Sequence, residues 1–124
     1  MSIIIETENY VYDQFEKLLF KHCLSDIENF ITRFNIDVNK EDGYYLGLIC
    51  SRNDIKLLEM VIKYGANVHI NNEIVLKSCA DSGLLNIVIY LLTNCNSDHK
   101  VLYGTTAYSN HPVVKQYIDT FNLI

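Results

Sequence analysis

The sequence predicts an all-α fold, a solenoid of about four stacked helix-turn-helix units joined by short loops. Three observations predict it. The chain matches itself at a shift of 30 residues: residues 53–69 lie over residues 83–99, with aliphatic positions falling on aliphatic positions. Apolar residues recur at helical spacing within each copy. Helix-start and helix-stop residues fall at corresponding places in successive copies. A period near thirty marks helix-pair units, none of which buries its apolar face alone.

Residues 1–16 are expected to form an N-terminal cap. They hold Ile3-Ile4-Ile5, an acidic stretch and the start of a helix that carries Val11, Phe15, Leu18 and Leu19. An end unit needs one wetted face, which suits that role. Approximate repeats follow at 17–42, 43–72, 73–98 and 99–124. In the first, residues 26–34 lie over residues 54–62 at a shift of 28, and Ser25-Asp26-Ile27-Glu28 has the form of a capping box. In the second, a helix over residues 45–52 carries Leu46, Ile49 and Cys50, and another over residues 55–64 carries Leu57, Leu58, Val61 and Ile62. Asn53 and Asp54 stand where the second helix needs a cap. Gly65 stands where it needs a left-handed residue to stop it. In the last repeat Val101-Leu102 falls on Val75-Leu76, and Val113-Val114 on Ile87-Val88, at a shift of 26. The missing residues come out of the segment 93–100, a loop that shortens without disturbing helices.

These residues resemble the ankyrin repeat. Residues 53–69 match the second-helix-and-loop half of that family, usually written G-H-x-x-V-V-x-L-L-L-x-x-G-A-x-x-N. Gly65-Ala66 is the glycine–alanine pair, and Ser82-Gly83 keeps the inter-helix glycine. Cys50, Cys79, Ala80, Thr105 and Thr106 supply small residues where first helices pack closely. The T-P-L-H start is replaced by Tyr44-Tyr45-Leu46-Gly47, Ile74-Val75-Leu76-Lys77 and Lys100-Val101-Leu102-Tyr103. Asn53 replaces one inter-helix glycine, and Cys95-Asn96 replaces a glycine–alanine pair. Loss of the threonine and proline removes the hydrogen-bonded turn that opens each ankyrin unit. The short period and the Asn, Ile, Tyr and Lys usage resemble the divergent ankyrin proteins of amoeba-infecting giant viruses. The likeness covers about residues 17–118, so the fold it implies is an ankyrin-like solenoid.

At 124 residues, with 49% hydrophobic residues, one proline and five glycines, the chain fits one compact helical domain. No run approaches the ~18 apolar residues of a membrane span, and Ile3–Ile5 is too short for a signal-peptide core. An intracellular, cytoplasmic location is expected, and the host cytoplasm if the protein is viral. Residues 1–42 hold nine carboxylates against four bases, and the remainder balances, so the net charge of −5 sits in the first third. That distribution repels phosphate backbones and supplies no basic stripe for nucleic acid. It suits either a solvated end cap or an acidic patch that steers a basic partner.

Candidates for chemistry are few. Cys23, Cys50, Cys79 and Cys95 form no C-x-x-C pair and fit no zinc spacing. Cys50 and Cys79 nearly repeat with the unit, as buried thiols do, while Cys95 falls in a loop. His22 adjoins Cys23, but neighbours on a helix point about 100 degrees apart, so the two make no catalytic pair. His69 and His99 occupy equivalent loop positions. There is no G-x-S-x-G, phosphate-cradling glycine loop or H-E-x-x-H. No enzymatic activity, metal or cofactor is expected.

The resemblance implies a non-catalytic protein–protein interaction module whose partner is another protein. Ankyrin contacts come from loop tips and from the open side of the first helices. Carried over, the loop candidates are Glu41, Tyr44, Asn71, Asn72, Glu73 and His99, with Lys40 and Lys100 beside them. The first-helix candidates are Leu48, Ser51, Arg52, Ser78, Asp81, Ser82 and Tyr108. Leu48 and Arg52, one helical turn apart, are expected to point outward together. Tyr44, Tyr45, Tyr103 and Tyr108 are either binding anchors or fillers for the space the T-P-L-H turn leaves. The alternative function is structural: a homodimer made through an uncapped last repeat, whose Phe121-Asn122-Leu123-Ile124 is apolar.

Overall fold

The computed structural model describes residues 2–21, 23–103 and 110–120, the first five of these by backbone alone. Among them every regular element is helical, in the order α1 (Ser2–Leu19), α2 (Leu24–Phe34), α3 (Lys40–Ser51), α4 (Ile55–Lys63), α5 (Ile70–Asp81), α6 (Leu85–Asn94), a 3-10 turn (His99–Leu102) and α7 (Pro112–Thr120). The chain divides into two compact units, Met1–Val38 and Asn39–Ile124.

In the first unit, α1 runs unbroken through the expected boundary at residue 16, so the cap and the opening of the first repeat are one helix. Tyr12, Phe15 and Leu19 of α1 are buried, as are Ile27 and Ile31 of α2. Phe15 stacks on Phe30 with ring centroids 6.2 Å apart, and Phe30 meets Phe34 at 4.6 Å. The Tyr12 hydroxyl accepts the Asp37 amide at 2.9 Å and ties the chain after α2 back to α1. The capping box at Ser25 does not form. The Ile27 amide reaches Cys23 O at 3.0 Å, so the helical ladder starts ahead of Ser25 and leaves its hydroxyl inside the first turn.

The second unit holds two hairpins, α3–α4 and α5–α6. α3 packs on α5 and α4 on α6, so like helices lie side by side, and α7 packs on α6. Leu46, Ile49, Leu57, Leu58, Val61, Leu76, Ile87 and Leu91 form a continuous buried set across them. Burial of side chains this size contributes about 1.5–3 kcal/mol each before entropy is counted. α4 matches its expected span to within a residue, whereas α3 ends within a residue of its expected end but begins at Lys40, ahead of the expected start at 45. At the start of α4 the Asp54 side chain accepts the Leu57 amide at 3.2 Å, as a cap does.

The helix stops are left-handed residues. Gly65 (φ 98°) follows α4, the Ala66 amide returns to Val61 O at 3.0 Å and the Gly65 amide to Ile62 O at 3.0 Å. That pair of bonds is a Schellman cap. Asn35 (φ 51°) closes α2 and Asn96 (φ 56°) follows α6. Between the helices of each hairpin stand Asn53 (φ 55°) and Gly83 (φ 73°). Asparagine stands in for glycine because its short polar side chain tolerates the left-handed region.

Each hairpin opens on a turn of left-handed backbone that the repeat pattern does not predict. Glu41, Asp42 and Gly43 have φ of 60°, 53° and 92°, one turn of left-handed backbone ahead of the right-handed part of α3. Asn71, Asn72 and Glu73 repeat it ahead of α5 with φ of 51°, 54° and 64°. These turns stand just ahead of Tyr44 and Ile74. For residues other than glycine such backbone costs about 1–2 kcal/mol each, and bonds between successive loops offset it. Asn39 Oδ1 accepts the Asn67 amide at 2.6 Å and its Nδ2 donates to Gly65 O at 2.9 Å. Asn71 Nδ2 donates to Asp42 O at 3.1 Å, joining one turn to the next.

After the short turn at His99–Leu102, with Leu102 buried, α7 buries Val114 and Ile118. His111 Nε2 donates to Asp81 O at 2.8 Å. Its ring also lies on Gly83, where an added Cβ would come within 2.9 Å of Nδ1. Thr105, Thr106, Tyr108, His22 and the apolar ending at 121–124 fall outside the described residues. Among the described residues no helix is long and apolar enough to cross a membrane.

Candidate interaction groove

Because α3 and α5 lie side by side, their outward faces leave a groove of about 400 Å³. It is lined by Glu41, Asp42 and Gly43 from the first left-handed turn, by Tyr44, Gly47 and Leu48 of α3, and by Ile74, Val75 and Ser78 of α5. Its walls are apolar for a definite reason. Tyr44 is 48% exposed and Ile74 is 40% exposed, each the outward neighbour of a buried core residue, Tyr45 and Val75. The Tyr44 ring is held edge-on against Tyr45 at 5.1 Å. Of that tyrosine pair, Tyr45 fills the core and Tyr44 faces out.

Gly47 forms the floor. It lies in the right-handed part of α3, and a Cβ placed there would meet no atom within 4 Å. Glycine in a helix interior costs about 0.5–1 kcal/mol relative to alanine, and no packing within the chain requires it at this position. Gly43 differs: its φ is 92°, and an added Cβ would lie 3.0 Å from Ile70 Cγ2.

Four of the sequence-derived candidates, Glu41, Tyr44, Leu48 and Ser78, come together in this groove. Ser51 is exposed at the end of α3, with its hydroxyl donating to Leu48 O at 2.6 Å. Arg52 is half-buried as the C-cap of α3 and is not part of the groove lining, so it does not share an open patch with Leu48 there. Asp81 and Ser82 are exposed where α5 ends, and Asn71 and Asn72 are exposed in the second left-handed turn. His99 sits in the 3-10 turn with its ring edge-on to Tyr103 at 6.1 Å. Tyr108 lies outside the described residues.

Glu73 departs from its expected place on an open loop tip. It is only 6% exposed, and its carboxylate accepts the Asp98 amide and the His69 Nδ1 proton, each at 2.5 Å. The left-handed backbone turns this side chain inward, so its oxygens are spent holding loops together. Asp42, Gly47 and Ile74 also line the groove and were not among the sequence candidates. A glycine inside an apolar-periodic helix, with Asp42 and Glu41 five and six residues before it, was the available signal.

The thiols of Cys50 and Cys95 are poorly suited to act as nucleophiles. Cys50 and Cys79 are buried, and a hydrogen bond from one to the other, together with burial, pushes the Cys50 thiol well up. Cys95 is half-buried rather than open, and burial pushes its thiol up, with Cys50 and Glu73 adding to the effect. A nucleophilic cysteine needs the opposite shift. All four cysteines are free thiols. Among the described residues no group of three or more His, Cys, Asp or Glu side chains is placed to hold a metal ion.

Comparison of the chain with protein-family models, with curated proteins and with solved structures found no match to any of them.

Proposed function

We propose that this chain is a divergent ankyrin-like repeat protein that acts as a non-catalytic protein–protein interaction module. The observation that carries the reading is the groove between α3 and α5, an open apolar channel on two helices fixed by a shared core. An exposed aromatic ring beside aliphatic side chains on rigid backbone has the composition of an interface centre. The residue pattern that resembles the ankyrin repeat assigns the same face, the first-helix side, to partner contact. The partner is another protein, in an intracellular compartment, and the host cytoplasm if the chain is viral. Phosphate backbones are disfavoured by the net charge of −5.

Affinity capture from the native cell with the full chain tests this. Gly47→Leu fills the groove floor, and Lys56→Ala changes an exposed residue of α4 as a control. The expected result is a partner lost with Gly47→Leu and retained with Lys56→Ala. A partner held equally by both contradicts the assignment.

An assembly role is the second reading. It is favoured by Val113, 59% exposed on α7 beside a cleft lined by Leu85 and Tyr117. Sedimentation distinguishes it: a dimer that Val113→Asp dissociates supports assembly, and a monomer at all concentrations contradicts it.

A further inference from the structure

We infer that the occupant of the groove is a peptide segment carrying a lysine or arginine, with the alkyl stem over Gly47 and the cation at Glu41 and Asp42. The inference rests on the reading of the groove as a partner site and adds the chemistry of the partner. Four features point to it. The floor at Gly47 is bare backbone, and a Cβ placed there would meet no atom within 4 Å. The walls on either side of that strip, Tyr44 and Leu48 against Ile74, are apolar and suit methylene groups. One end of the channel carries the carboxylates of Glu41 and Asp42, both exposed, and neither has a partner among the described residues. Among the described residues no basic side chain lines the channel.

A lysine or arginine has both parts that such a channel asks for, an apolar stem and a charged head that stays in water. A purely apolar residue would leave the acidic end unmatched, and an acidic residue would be repelled by it. The backbone that carries these carboxylates is also held in place. The left-handed turn fixes their backbone, and the bond from Asn71 Nδ2 to Asp42 O ties that turn to the next. Preorganised charges lose less freedom when a ligand arrives, which favours binding.

The test pans a random dodecapeptide library on the full chain and measures the recovered peptides by fluorescence polarisation. The chains compared are the wild type, Gly47→Leu and the double variant Glu41→Gln with Asp42→Asn. The double variant retains side-chain size, and a Cβ at Gly47 would meet no atom within 4 Å, so circular dichroism should match for all three. The expected result is peptides enriched in Lys or Arg next to aliphatic residues. Their affinity should fall at least tenfold with Gly47→Leu and about five- to tenfold with the double variant, and the wild-type affinity should weaken with added salt. Peptides lost with Gly47→Leu but indifferent to the double variant overturn the basic occupant and leave the groove as a site. Peptides indifferent to Gly47→Leu, or recovery of no binder, overturn both.

Discussion

The Glu73 carboxylate accepts a hydrogen bond from the Asp98 amide, 25 residues further along the chain, at 2.5 Å. That bond joins the opening turn of one hairpin to the loop that follows the same hairpin. The second oxygen is taken by His69, four residues back. In the preceding hairpin the matching position is Gly43, which has no side chain, and there the loops are tied by Asn39 instead.

Removing the Glu73 side chain should therefore be costly although it lies in a loop. Glu73→Ala leaves the Asp98 amide without its acceptor, at a cost of about 1–3 kcal/mol. Glu73→Gln keeps an acceptor oxygen and should cost less. Urea unfolding of the three chains checks the order, and an unchanged midpoint for Glu73→Ala would contradict the role given to this carboxylate.

Left-handed backbone at Asn53 and Gly65 gives a paired prediction. Asn53→Gly should leave stability within about 0.5 kcal/mol, whereas Asn53→Ala and Gly65→Ala should each lose about 1–2 kcal/mol. The Gly65 site is open to a Cβ, so its loss would be conformational and not steric. Thermal melts measure all three.

Much of this architecture was legible in the sequence. The 30-residue shift aligns Leu57, Leu58 and Val61 with Ile87, Val88 and Leu91, and all six are buried. Asp54 and Gly65 were readable because a cap and a left-handed stop each need particular residue types. The opening turns were not readable. Glu41 and Glu73 carry no local preference for left-handed backbone, and the turns are tied by bonds to loops 25 to 30 residues away. The capping box at Ser25 failed for a similar reason, since the hydrogen-bond ladder of α2 begins earlier than the motif. Part of the groove was foreseen through Glu41, Tyr44, Leu48 and Ser78. Gly47 and Ile74 were not, because their importance appears only when α3 and α5 lie together.

Gly47→Ala gives a prediction about that floor. With no atom within 4 Å of the added methyl group, the variant should gain about 0.5–1 kcal/mol from helix propensity alone. A loss of stability on urea unfolding would mean that the position is packed and the groove is not open.

The buried thiol of Cys50 should make stability depend on pH in the alkaline range. Its folded-state pKa lies above the ordinary 9.0 because of the hydrogen bond with Cys79 and burial. The stabilising contribution is complete below pH 9.0, where both states hold the proton. Above it the unfolded chain loses a proton that the folded chain keeps, and stability falls by about 1.4 kcal/mol per pH unit. Urea midpoints at pH 8 and pH 10 should show a smaller fall for Cys50→Ala than for the wild type. Equal falls would contradict the assignment.

Amide hydrogen exchange on the full chain, with and without a bound peptide or captured partner, tests the central claim most directly. The account predicts added protection at residues 41–48 and 74–78, the two walls and the acidic end of one channel. Protection confined to α2, to α7 or to the outer face of α4 would contradict it.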